Sequence, residues 1–146
     1  MEVAMFQRTV HPTHPATERR RPPWRLLVES AEPGLDISNF DAFRCAGFEV
    51  TVCGGPASDA RECPVVRGEA CPLMSEADVV LFDLDTDRPR RSEVLAAVRA
   101  TRPELPIVVR TAYSVPGCPT IRSTTSVNGQ VSALHKAVLR WTSPRA

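Results

Sequence analysis

The sequence predicts a three-layer α/β sandwich, a parallel sheet of four or five strands with helices on both faces. Three observations carry this. Short apolar runs alternate with amphipathic helical stretches from Trp24 to Trp141, the pattern that right-handed βαβ crossovers produce. One run, Val79-Val80-Leu81-Phe82, is apolar without interruption, as a strand buried on both faces must be. The 146 residues, 42% hydrophobic and 24% charged, suit one domain with one modest core.

Residues 1–23 read as a disordered Pro/Arg-rich tail, with His11-Pro12-Thr13-His14-Pro15 and Arg19-Arg20-Arg21-Pro22-Pro23 offering few helix-competent positions. The domain proper is expected over residues 24–146. Arg25–Glu29 forms the first strand, and Glu32-Pro33-Gly34 breaks it. Asp36 is placed to cap a helix carrying Ile37, Phe40 and Phe43 on one face, closed by Gly47. Cys45, just before that stop, is expected to face the core. Phe48–Val52 alternates at period two and gives the second strand.

Residues 53–76 are broken by Gly54-Gly55-Pro56, Cys63-Pro64, Gly68 and Cys71-Pro72, so only short helical turns fit. Val79–Phe82 is the central strand. Ser92 is placed to cap a helix with Val94, Leu95 and Val98 inward, ending before Pro103. Ile107–Val109 is the fourth strand, and residues 119–125 offer a fifth. The last helix spans about Ser126–Trp141, with Val127, Val131, Leu134, Val138 and Trp141 stepping by four and three.

The formal net charge of +1 gives no electrostatic reason to expect nucleic acid or an anionic membrane. No run of 18 apolar residues exists, and the first residues carry no apolar segment of a secretion signal. The expected location is cytoplasmic and the expected partner another protein. One lysine, Lys136, stands against 17 arginines, a skew that codon bias explains better than chemistry. His11, His14 and His135 read as solvated.

Ligands of parallel sheets sit at the carboxyl ends of the strands. The residues to inspect there are Glu29, Ser30, Cys53, Asp83 and Thr111. Ala77-Asp78-Val79-Val80-Leu81-Phe82-Asp83-Leu84-Asp85, then Glu93-Val94-Leu95, Val98-Arg99, Pro103–Val109 and Thr111-Ala112-Tyr113, resemble in order and spacing the middle of two-component response-regulator receiver domains. Arg25–Val28 with Glu32-Pro33 is similar to that family's first strand and turn. The resemblance implies a flavodoxin-like (CheY-like) fold, Asp83 as phosphoacceptor with Mg²⁺ beside it, and Thr111 as the hydroxyl that contacts the phosphoryl group.

The chain departs from that pattern in three places. The two adjacent acids after the family's first strand align with Ser30 and Ala31, and only Glu29, one residue off, is acidic. The lysine ending the family's fifth strand has no counterpart, because Lys136 lies within the last helix, and arginine does not replace lysine freely at a tight site. Only residues 114–119 fill the space of the family's fourth helix, so that helix is expected to be missing. The reading is therefore a degenerate receiver-like regulatory or protein-interaction domain without phosphotransfer, not an enzyme, with no cofactor expected.

Two alternatives stay open. One is an active phosphoaspartate receiver using Asp83. The other is a cysteine-based sensor using Cys53, Cys63 and Cys71, as a redox pair closing the Cys63–Cys71 loop or as ligands for zinc or an iron–sulfur cluster, with Cys45 or Cys118 as a fourth. Against the cysteine reading, the spacing matches neither zinc knuckles nor ferredoxin runs, and the thiols equally suit small buried hydrophobes. An aspartate or threonine at a strand end is commonly the polar exit from a core.

Overall fold

The computed structural model describes residues 23–30, 37–84, 90–122 and 124–142. The tail expected over residues 1–23 lies outside these apart from Pro23, as do Asp36, Asp85 and Ser123. The elements run β1 (Trp24–Glu29), α1 (Ile37–Cys45), β2 (Phe48–Cys53), a 3₁₀ turn (Ala60–Glu62), α2 (Pro72–Glu76), β3 (Val79–Asp83), α3 (Arg91–Thr101), β4 (Ile107–Arg110), β5 (Thr120–Ile121) and α4 (Val127–Thr142). All strand pairs are parallel, in the order β2-β1-β3-β4-β5.

Side chains alternate across each strand, and the two resulting cores are sealed by different helices. Leu26, Val28, Val79, Leu81 and Val108 meet Phe40 and Phe43 of α1 and Leu134, Ala137 and Val138 of α4. Leu27, Val80, Phe82 and Val109 meet Met74 of α2 and Val94, Leu95 and Val98 of α3. Each such fully buried aliphatic side chain contributes about 1.5–3 kcal/mol relative to exposure. β3 lies between β1 and β4, and Val79, Val80 and Phe82 are completely buried, as its unbroken apolar run predicts.

Residues 54–71 are held by polar contacts instead of regular pairing. Glu62 accepts from the Ala57, Ser58 and Asp59 N–H groups (3.0, 3.2 and 3.2 Å) and from the Ser58 hydroxyl. Arg67 Nη1 donates to the carbonyls of Arg61 and Glu62 (2.7 and 3.0 Å). Arg102 Nη1 ties the end of α2 to the turn after α3, donating to Met74 O and Ala77 O at 2.7 and 3.0 Å.

No helix joins β4 to β5. Residues 111–119 form turns, with Gly117 at φ 79° and the Cys118 N–H donating to Val115 O at 3.3 Å. The fifth strand exists but is only two residues long, and Val109 and Arg110 alone face it.

Three local expectations fail. Cys45 is exposed: it lies two residues past inward Phe43, which on a helix turns it about 200° away. Ser92 does not cap α3, which begins one residue earlier behind Arg90, held in the left-handed region at φ 49° and ψ 51°. His135 is half-buried instead of solvated. It stacks on Phe48 (5.1 Å between centroids), meets Trp24 edge-on (5.6 Å), and its Nε2 lies 3.0 Å from Ala46 O.

Candidate functional site

The carboxyl edge of the sheet divides the candidate residues between its two faces. Glu29 follows Leu27 in phase and lies on the α3 face, whereas Ser30 lies on the α1/α4 face with Val28. The Ser30 N–H donates to Cys53 O (3.1 Å), holding the chain extended one residue past β1.

On the α1/α4 face, Asp83 continues the phase of Val79 and Leu81, and Arg110 that of Val108. The two stand opposite each other in the β3–β4 register. Ser30 Oγ donates to Asp83 Oδ2 at 3.5 Å. Asn39, Arg110 and buried Gln130 line the same small cavity of about 20 Å³. Gln130 Nε2 donates to Thr125 O (3.1 Å), so the turn before α4 fixes it.

Mg²⁺ needs several hard oxygen ligands and retains water. Around Asp83 the described residues offer one carboxylate, a hydroxyl and amides, with the Arg110 guanidinium in the same cavity. That donor set does not fit the ion. More widely, no group of three or more His, Cys, Asp or Glu side chains among the described residues is arranged to hold a metal, so the zinc and iron–sulfur readings have no site among them either. At the end of β5, where receivers carry lysine, this chain has Arg122, exposed.

On the α3 face, Glu29 is spent differently. Its side chain is 4% exposed and its Oε1 lies 3.5 Å from Nη2 of Arg91, itself 1% exposed. The Arg91 guanidinium stands 6.0 Å over the Phe82 ring, and none of its three nitrogens has a hydrogen-bond partner among the described residues. Burial raises the pKa of the Glu29 carboxyl above its ordinary value, outweighing the opposing pull of Arg91 and of the Cys53 hydrogen bond. Burial and then the Glu29 charge push the Cys53 thiol up to about 11. Gly55, at φ 76°, closes over the pair, and a Cβ there would sit 3.0 Å from Arg91 Nη2 and 3.1 Å from Glu29 Oε1.

Next to this pair is a cavity of about 260 Å³ lined by Cys53, Cys63, Cys71, Glu29, Leu27 and Met74, among others. All three loop cysteines named from the sequence thus share one space, half-buried and free. Thr111 is 1% exposed. Its N–H donates to Ile121 O (2.9 Å), which pins β5, and its Oγ1 has no hydrogen-bond partner among the described residues.

Sequence reasoning missed Arg91, Arg110 and Gln130. Arg91 was readable: it stands three, four and seven residues before Val94, Leu95 and Val98, on the helix face assigned to the core. Arg110 likewise shares the strand phase of Val108.

No family profile matches the chain, and no curated protein does. Its likeness is to solved structures. The CheY-like receiver domain protein from Methanospirillum hungatei is 15% identical over 81% of this chain and 95% of its own, with a TM-score of 0.60. The receiver protein from Sinorhizobium medicae is 19% identical over 81% and 96%, also at 0.60. The PhyR receiver domain from Erythrobacter litoralis is 15% identical over 84% and 95%, at 0.57. The chain therefore has the fold of a response-regulator receiver domain, the flavodoxin-like arrangement its β3–α3–β4 segment announces.

Proposed function

We propose that this chain is a receiver-fold regulatory domain of the cytoplasm that acts by contacting another protein, without enzymatic turnover and without phosphotransfer through Asp83. One observation carries the reading: the acids that would build a metal site with Asp83 are absent from its face of the sheet among the described residues. Ser30 hydrogen-bonds Asp83, while Glu29 is turned to the opposite face and engaged with Arg91. Arg110 shares the Asp83 cavity, and its charge lowers that cavity's affinity for a divalent cation. The near-zero net charge and the fact that no described helix is long and apolar enough to cross a membrane are in keeping with a protein partner.

The test is incubation with acetyl phosphate and Mg²⁺ followed by intact mass measurement. The expected result is no added phosphate. A stoichiometric phosphoryl adduct that disappears in Asp83→Ala would overturn the proposal.

A second reading rests on the shared thiol cavity. Two of Cys53, Cys63 and Cys71 would give up two protons and two electrons to hydrogen peroxide, forming a disulfide and two waters. Under mild peroxide this requires a loss of two hydrogens from the intact mass and a cross-linked peptide pair drawn from these three residues. Oxidation that yields only sulfenic acid or no change removes it.

A further inference from the structure

Beside the turn that joins β4 to β5, a cleft of about 960 Å³ lies between the ends of α3 and α4, the upper end of the size range for a binding site. Among the described residues its walls carry Arg99, Arg102 and Arg140 against a single acid, Glu104. Glu104 is already paired with Arg102 at 3.0 Å. Neither Arg99 nor Arg140 has an acidic partner among the described residues. Each occupies the last turn of its helix, and its full charge exceeds the roughly half-charge of that helix end. Gly117 lets Arg99 reach across the cleft, since a Cβ there would collide with Arg99 Nη2. Between the cations the floor is apolar, with Ala100, Leu105 and Ile107.

An added strand does not suit this edge. Ile107 has no β5 residue opposite it, but Pro106 before it and Pro119 across the turn lack the N–H groups that strand pairing uses. A helix needs no backbone donors from its host, only apolar contact and matched charge.

We propose that this cleft binds an acidic amphipathic helix of a partner protein, its apolar stripe on Ala100, Leu105 and Ile107 and its carboxylates toward Arg99 and Arg140. The proposal rests on the protein-contact reading above and names the surface and the partner chemistry for it.

The test pans the intact protein against a displayed library of helical peptides about four turns long. Expected clones carry apolar residues at i, i+3, i+4 and i+7 with Asp or Glu between them. Their binding should weaken as salt rises. It should also weaken at least tenfold in Ala100→Trp, which fills the cleft, and in Arg99→Glu/Arg140→Glu, which reverses its charge. All three sites are partly or fully exposed, and unchanged circular dichroism checks the fold. No enrichment, or enrichment of neutral or basic clones, overturns the proposal. Acidic clones indifferent to both variants also overturn it while leaving a protein-binding domain standing. Phosphorylation at Asp83 would instead sink the earlier reading and leave this cleft untouched.

Discussion

Arg91 Nη2 and Glu29 Oε1 lie 3.5 Å apart with their side chains 1% and 4% exposed, and this pair joins the start of α3 to the end of β1 at the switch point of the sheet. A buried ion pair is costly to break from one side, because the survivor is an uncompensated charge. Arg91→Met should therefore destabilise the chain by about 3–5 kcal/mol. Arg91→Met with Glu29→Leu should recover most of that loss, because neither charge is left behind. Urea unfolding of both variants decides it. If the double variant is no more stable than the single one, the pair is holding geometry that apolar packing cannot replace.

The same burial makes stability depend on pH. Glu29 has a folded-state pKa above its unfolded value of about 4.5, so the folded chain binds that proton more tightly. Its contribution is complete below the unfolded pKa and is lost as pH rises through the raised folded pKa. Other carboxylates titrate nearby, so the informative quantity is the difference from Glu29→Gln, which cannot ionise. Wild type should gain on Glu29→Gln as pH falls from neutrality toward 4.5. A difference that is flat or of opposite slope means Glu29 is not held up by burial.

The cysteines should react in an order set by exposure and charge. With the Cys53 thiol near 11, about one in a thousand is ionised at pH 8. Cys45 is exposed. In the native protein an alkylating reagent should label Cys45 first and Cys53 last, with all five labelled after unfolding. Early labelling of Cys53, read by peptide mass, would show the Glu29 side of the cavity opening to solvent.

What the sequence made legible follows from which forces leave a periodic trace. β3 was readable because burial on both faces demands an unbroken apolar run, and α3 and α4 because their inward residues step by three and four. The lost helix was readable from the shortness of residues 114–119. Glu29 and Ser30 were both named, yet their separation onto opposite faces is a matter of strand phase, set by where β1 ends. Arg91 escaped because a charged residue on a helix's inward face is read as solvent-facing until its partner, 62 positions earlier in the chain, is seen. The wrong side assigned to Cys45 came from reading proximity to a helix stop as burial.

The separation of Glu29 from Ser30 can be probed by returning a carboxylate to the Asp83 face. Ser30 is 7% exposed and its Oγ reaches Asp83 Oδ2 at 3.5 Å, so Ser30→Asp brings two negative charges together in a site of restricted hydration. Like charges at that range disfavour joint ionisation, and each ~1 kcal/mol lost lowers the melting temperature by about 3–6 °C in a domain of this size. A divalent cation relieves this repulsion, as oxygen-rich acid pairs bind Mg²⁺. Ser30→Asp should therefore melt below wild type and recover in millimolar Mg²⁺, while Ser30→Ala adds no charge and shows no response to the ion. Wild type should be equally indifferent to Mg²⁺, because the one carboxylate that the described residues place there shares the cavity with Arg110. A wild-type melting temperature that climbs with Mg²⁺ as steeply as the Ser30→Asp variant's would mean that Asp83 already sits in a metal site, and the reading of this face as unable to support phosphotransfer would have to be abandoned.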